Sequence, residues 1–150
     1  MASFAQLDIT NTVVKIVKIG NDVSTSNGPL GENDKHVDGE KYCNELLGGN
    51  WKQSSFTGAF RGRPAEIGGT YNEEKDVFID SQPYVSWTLD VNNNWQPPVA
   101  RPTVELYSSF ANPDHSYGSK WNEEQQRWEC KDESSALNVW NPDTFSWNVQ

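Results

Sequence analysis

Few residues in this chain have the types and spacing that chemistry requires. His36 and His115 are the only two histidines among 150 residues. Neither lies in a His-Glu-x-x-His or paired-cysteine pattern, so spacing offers no zinc or metallohydrolase set, and both are expected to be solvated loop residues. Cys43 and Cys130 match no metal motif; Cys43 falls inside an apolar helical pattern, where a thiol behaves as a small core group. The N-terminus has neither the basic nor the apolar stretch of a secretory leader, so both thiols are expected to be reduced. Asn33 to Asp38 gathers oxygens but lacks the EF-hand register, with its glycine and terminal glutamate. A glycosidase needs two carboxyls facing each other across a sugar. Here Glu73, Glu74, Glu123, Glu124 and Asp143 fall in turn sequences, where acids are usually solvated. The chain carries no Gly-x-Ser-x-Gly elbow, phosphate loop or dinucleotide fingerprint. It is therefore expected to be non-enzymatic, with no cofactor and no metal.

The richer signal is aromatic. Seven Trp residues stand among 18 aromatics, and three segments repeat one pattern. Tyr71-Asn72-Glu73-Glu74 is followed, after three intervening residues, by Phe78, Trp121-Asn122-Glu123-Glu124 likewise by Trp128, and Trp140-Asn141-Pro142-Asp143 by Trp147; a looser copy runs from Trp87 through Asp90 to Trp95. That length suits a tight β-hairpin whose two aromatics face each other across the strands. Asn, Pro and acidic residues favour a type I turn between them. Three uses of the Trp residues follow: the core of each hairpin, stacking platforms for sugar rings, or anchors at a protein interface. Trp140 and Trp147 are expected to be the most exposed. Trp121, Trp128, Trp140 and Trp147 are the candidate contact residues.

Other elements must hold these hairpins. Phe4 to Leu7 and Val13 to Ile19 alternate as a first hairpin. Residues 21–38 are rich in turn formers and predict a long exposed loop. Asp38 caps a short helix near 39–47, with Tyr42, Cys43, Leu46 and Leu47 on one face and Gly48-Gly49 as its stop. Trp51 to Phe56 follows as a strand. The Pro-containing stretch Gln96 to Pro102 is expected to be extended and linker-like. The predicted organisation is mainly β: an N-terminal antiparallel sheet domain with one short helix over 1–95, then an extended tail of aromatic hairpins over 96–150.

Composition narrows the partners. Only 35% of residues are hydrophobic, so the core should be thin and aromatic. A net charge of −9 repels phosphate backbones and anionic lipid, which excludes nucleic acid and membrane surfaces as expected partners.

Several blocks together resemble a family of small virion structural proteins of cyanophages and other marine tailed bacteriophages. They are Phe4 to Asp8 with the Val-rich second strand, Tyr42 to Ser55, Arg61 to Tyr71, and above all Phe78-Ile79 through Gln82-Pro83-Tyr84-Val85-Ser86-Trp87-Thr88-Leu89-Asp90 to Trp95-Gln96-Pro97-Pro98. The resemblance covers residues 1–100 well and the remainder more loosely. Family members often carry a cysteine before the second Trp of the Trp87 hairpin, whereas this loop is Val91-Asn92-Asn93-Asn94. The resemblance implies a virion location, on the outer surface of the capsid or on the tail, and no catalysis. It implies contacts with the major capsid protein or other virion proteins, and self-association as a further option. Capsid decoration is the leading expectation. Tail or tail-fibre attachment, with host glycan binding through exposed Trp residues, is the alternative.

Overall fold

The computed structural model describes residues 1–20, 22–25, 28–29, 37–104, 106, 118–132 and 134–150. His36 and His115 lie outside the described residues, as does most of the Asn33 to Asp38 stretch. The chain divides into two compact units, Met1–Gln82 and Pro83–Gln150. It is mainly β, with small antiparallel sheets and one short helix among the described residues.

In the first unit, β1 (Ala2–Leu7), β2 (Val13–Ile19) and β5 (Asn50–Ser54) form a sheet in the order β2-β1-β5. Ala2 and Phe4 point to one face with Cys43 of α1 (Val37–Leu47), Trp51, Val17 and Ile19. Ala5 and Leu7 point to the other face, where they meet Val13 and the ring pair Tyr71 and Phe78. The period-2 alternation of β1 thus gives each face its own core. Tyr71 and Phe78 belong to the hairpin of β6 (Thr70–Asn72) and β7 (Val77–Ile79) and sit directly opposite each other. Between β2 and α1, where a loop is expected, β3 (Ser24–Thr25) and β4 (Gly28–Pro29) form a two-residue pairing.

The helix ends as its sequence dictates: Gly48 adopts φ +70° and its N–H donates to Asn44 O, a left-handed stop that glycine adopts without a Cβ penalty. Its apolar face is narrower than expected. Cys43 is buried and Tyr42 half-buried, but Leu46 and Leu47 are exposed.

In the second unit, β8 (Thr88–Leu89) and β9 (Trp95–Gln96) form a short hairpin. Then β10 (Lys120–Asn122), β11 (Arg127–Lys131), β12 (Leu137–Asn141) and β13 (Ser146–Val149) make one four-stranded meander. The C-terminal hairpins, expected as an extended tail, are here the two ends of a single sheet. The boundary expected at 95/96 is corrected to 82/83, because Trp87 packs against Trp121 and Trp128.

Two loop designs recur. In the aromatic hairpins, Asn72, Asn122 and Asn141 each use Oδ1 to accept a backbone N–H two or three residues on. The last loop residue, Asp76, Gln126 or Phe145, is left-handed in every copy, with φ between 47° and 51°. The second design was not apparent from the sequence. Asp8, Asp90 and Asp132 each accept N–H groups two and four residues ahead, and the residue three ahead (Asn11, Asn93 or Ser135) is left-handed. The Thr10 hydroxyl for Asp8, the Asn94 N–H for Asp90 and the Ser134 hydroxyl for Asp132 are foremost among the bonds that favour the ionised carboxylate and hold all three acids below the usual aspartate value. The Trp87 copy uses this Asp loop, so Trp95 pairs with Leu89 rather than facing Trp87.

A left-handed residue with a Cβ costs about 1–2 kcal/mol, part of which glycine gives back through its greater unfolded-state freedom. Gln126→Gly is therefore expected to stabilise the second unit by about 0.5–1 kcal/mol. A higher urea midpoint at unchanged slope checks it.

Candidate functional site

The four candidate Trp residues share one face of the β10–β13 sheet. Trp121 lies opposite Trp128 and Trp140 opposite Trp147, with ring centroids 5.3 and 5.4 Å apart in edge-on geometry. This arrangement suits the aromatic quadrupole. Trp87 reaches onto the same face, 6.3 Å from Trp121 and 6.2 Å from Trp128. The Pro-containing segment, expected as a linker, also packs there. Val99 O accepts from Trp128 Nε1 at 2.9 Å, Val104 O accepts from Trp147 Nε1 at 2.8 Å, and the Arg101 guanidinium lies over the Trp128 ring at 5.2 Å.

Trp121, Trp128 and Trp140 are consequently only 6%, 2% and 4% exposed. This corrects the expectation that Trp140 is among the most exposed: it is buried in a cluster with Trp121 and Trp128 and meets the Trp147 and Phe145 rings edge-on. Three of the four candidates are core, and none of those three offers an open ring face to a sugar. Trp147 alone is half-buried. Glu123, expected as a solvated turn acid, is tied down: it accepts from Ser86 N–H and Oγ–H and from Trp121 Nε1. Those bonds, the Ser86 hydroxyl foremost, hold its carboxyl below the usual glutamate value.

What remains for contact is the edge of the sheet. A β-sheet edge presents unpaired N–H and C=O groups and is usually blocked by charge, proline or a covering side chain. In the first unit, β2 carries Lys15 and Lys18. On β5 an ion pair blocks the other edge: Glu40 Oε1 accepts from Gln53 N–H at 2.9 Å while Arg61 Nη1 donates to Gln53 C=O at 2.7 Å. In the second unit, β13 has the sequence Ser-Trp-Asn-Val, with no charge and no proline. Among the described residues no strand lies beyond it. Phe145 before it and Val149 within it are 65% and 66% exposed.

Arg61 has no signal of its own in the sequence, where it is only the first residue of the block Arg61 to Tyr71. Its side chain is 4% exposed and also donates to Glu40 and Asp76 at 2.6 and 2.7 Å, with its guanidinium 5.4 Å from the Tyr71 ring centroid. No local pattern reveals it, since its partners are 21 and 15 residues away.

Tyr71 O–H donates to Asp76, and burial followed by this bond pushes the phenol up to about 12. Burial likewise pushes the Cys43 thiol up to about 11, aided by the Glu40 charge, so the thiolate is scarce near neutrality. The folded state keeps the Tyr71 proton where the unfolded chain, with its ordinary value of 10, gives it up. Stability from this group is full below pH 10 and falls as pH rises towards 12. Tyr71→Phe is expected to remove that alkaline loss; urea midpoints measured across this range check it.

Among the described residues no group of three or more His, Cys, Asp or Glu is placed to hold a metal ion, and no helix is long and apolar enough to cross a membrane. The chain matches no protein-family model, no curated protein and no solved structure.

Proposed function

We propose that this chain is a non-catalytic accessory structural protein of a tailed-phage particle, bound through protein–protein contacts of its C-terminal unit, with capsid decoration as its role. The observation that supports this most directly is the β13 edge: an uncharged strand without proline, beyond which no strand lies among the described residues, with Phe145 before it and Val149 within it exposed. Such an edge takes up an extended segment of another polypeptide. Backbone hydrogen bonds supply affinity, and pockets for alternate side chains supply selectivity. The sequence resemblance to virion proteins supplies the setting. A Trp face closed within its own unit keeps the contact strand rigid, which lowers the ordering cost of binding. An acidic chain on an outer surface also stays soluble at high local density.

Quantitative mass spectrometry of purified particles tests this. The chain is expected at a copy number proportional to that of the major capsid protein. A handful of copies per particle would move it to the tail, and absence from washed particles would overturn the proposal.

A further inference from the structure

We infer that copies of this chain join head to tail, the β13 edge of one copy pairing antiparallel with the β10 edge of the next. The inference rests on reading the C-terminal unit as a contact surface and names the partner as a second copy of the chain.

It is drawn from the register of the meander. Trp121 and Trp140, Asn122 and Asn141, and Trp128 and Trp147 each stand 19 residues apart, so β12–β13 repeats β10–β11. In that repeat β13 is the counterpart of β11, and β11 is bonded on both sides, by β10 and by β12. The repeat therefore places a β12-like strand beyond β13, and β10 is the counterpart of β12. Among the described residues, the two outer edges of the sheet, β10 and β13, have the chemistry that already pairs inside it.

Hydrogen-bond phase agrees. Gln150 N–H donates to Leu137 O, and inward bonding alternates along an antiparallel pair, so Trp147 and Val149 turn their backbone N–H and C=O groups outward. By the same alternation one repeat earlier, Ser119 and Trp121 turn theirs outward from β10. In the β11–β12 register, Cys130 lies opposite Asn138 and Glu129 opposite Val139. Shifted by one repeat, Val149 comes opposite Ser119 of the next copy and Asn148 opposite its Lys120. Charge permits this contact. In a chain of net charge −9, the strand positions that meet contain one lysine and no acid. A head-to-tail contact of this kind closes into a ring or runs on as a row, either of which suits a repeating surface.

The test is sedimentation of the purified full-length protein over a concentration range, with two edge-blocking variants. Val149→Pro removes an outward N–H from β13 and none that bonds β12; Ser119→Pro does the same for β10. Wild type is expected to rise above the 16.9 kDa of one chain as concentration increases. Each variant alone is expected to remain monomeric, and an equimolar mixture of the two to form dimers, because each retains the edge the other lacks. Near-ultraviolet dichroism of the Trp cluster reports that both variants are folded, and Val149→Lys replaces the proline variant should that one fail to fold. Wild type that stays monomeric at every concentration overturns the inference. So does Ser119→Pro that dimerises alone, since that pairs β13 with β13. A monomeric chain still counted in particles overturns this inference and leaves the proposed function standing; a self-associating chain missing from particles does the reverse.

Discussion

Arg61→Gln is expected to destabilise the Met1–Gln82 unit by about 3–5 kcal/mol, the range for removing one partner of a buried ion pair. The large effect follows from what Arg61 touches. Its guanidinium holds Glu40, Asp76 and the carbonyl of Gln53, so its loss removes the short ion pair from both carboxylates, leaving Glu40 with Lys52 at 4.0 Å, and takes a donor from an edge carbonyl. Its own backbone carbonyl accepts from Phe78 N–H, tying the β6–β7 hairpin to the same point. Lysine is not an adequate replacement, because an ammonium lacks the planar fork that reaches Nε and Nη1 partners together. Arg61→Lys is expected to recover less than half of the loss. Urea unfolding followed at residues of β1 and β5 by hydrogen exchange checks both. A cost below about 1 kcal/mol, the level of an exposed pair, would contradict the role assigned to this network. An exposed edge at Gln53 should also make the variant prone to aggregation.

Trp128→Ala is expected to cost the second unit about 3–5 kcal/mol, as for other large buried aromatics cut back to alanine. Trp128 is the centre of the cluster. It contacts Trp87 and Trp121, its indole N–H is bonded to Val99 O, and Arg101 lies over its face. Truncation leaves a cavity and frees the Pro-containing segment as well. Phe145→Ser, by contrast, removes an exposed ring and is expected to change stability by less than about 1 kcal/mol, in keeping with a surface substitution. Near-ultraviolet dichroism during urea titration separates the two. If Trp128→Ala melted like wild type, the Trp face would not be the core of this unit.

The contrast between these residues shows what a sequence can disclose. The first hairpin, the helix with its Gly48 stop and the three aromatic hairpins were legible, because each is set by local spacing: alternation, a left-handed glycine, an Asn that bonds its own loop. That Trp121 faces Trp128 and Trp140 faces Trp147 followed from loop length alone. What sequence did not disclose depends on distant partners. The Arg61 network joins residues from α1, β5 and the β6–β7 hairpin. Gln96 to Pro102 has the composition of a linker, yet its Val99 carbonyl and Arg101 are used by Trp128 much further along the chain, so composition misplaced the unit boundary. Leu46 and Leu47 fit the helical period but face outward, because the sheet beneath needs only Tyr42 and Cys43 to cover Phe4 and Trp51. The Asp loops had a readable signal, an Asp followed three residues on by Asn or Ser, although that spacing is common enough to pass unnoticed. The aromatic pattern pointed to the β10–β13 sheet, whose edge is the proposed contact, while three of its four Trp residues are buried. Most of its Trp residues build the unit, and the unit presents its edge.

The most direct test of the claim that this edge makes the contact is cryo-electron microscopy of the intact particle at a resolution that traces strands. The proposed role predicts this chain on the shell in many copies, with a strand of a neighbouring polypeptide hydrogen-bonded along Trp147 to Val149. A well-resolved copy whose β13 edge faces only solvent, with the contacts made elsewhere on the chain, would contradict it.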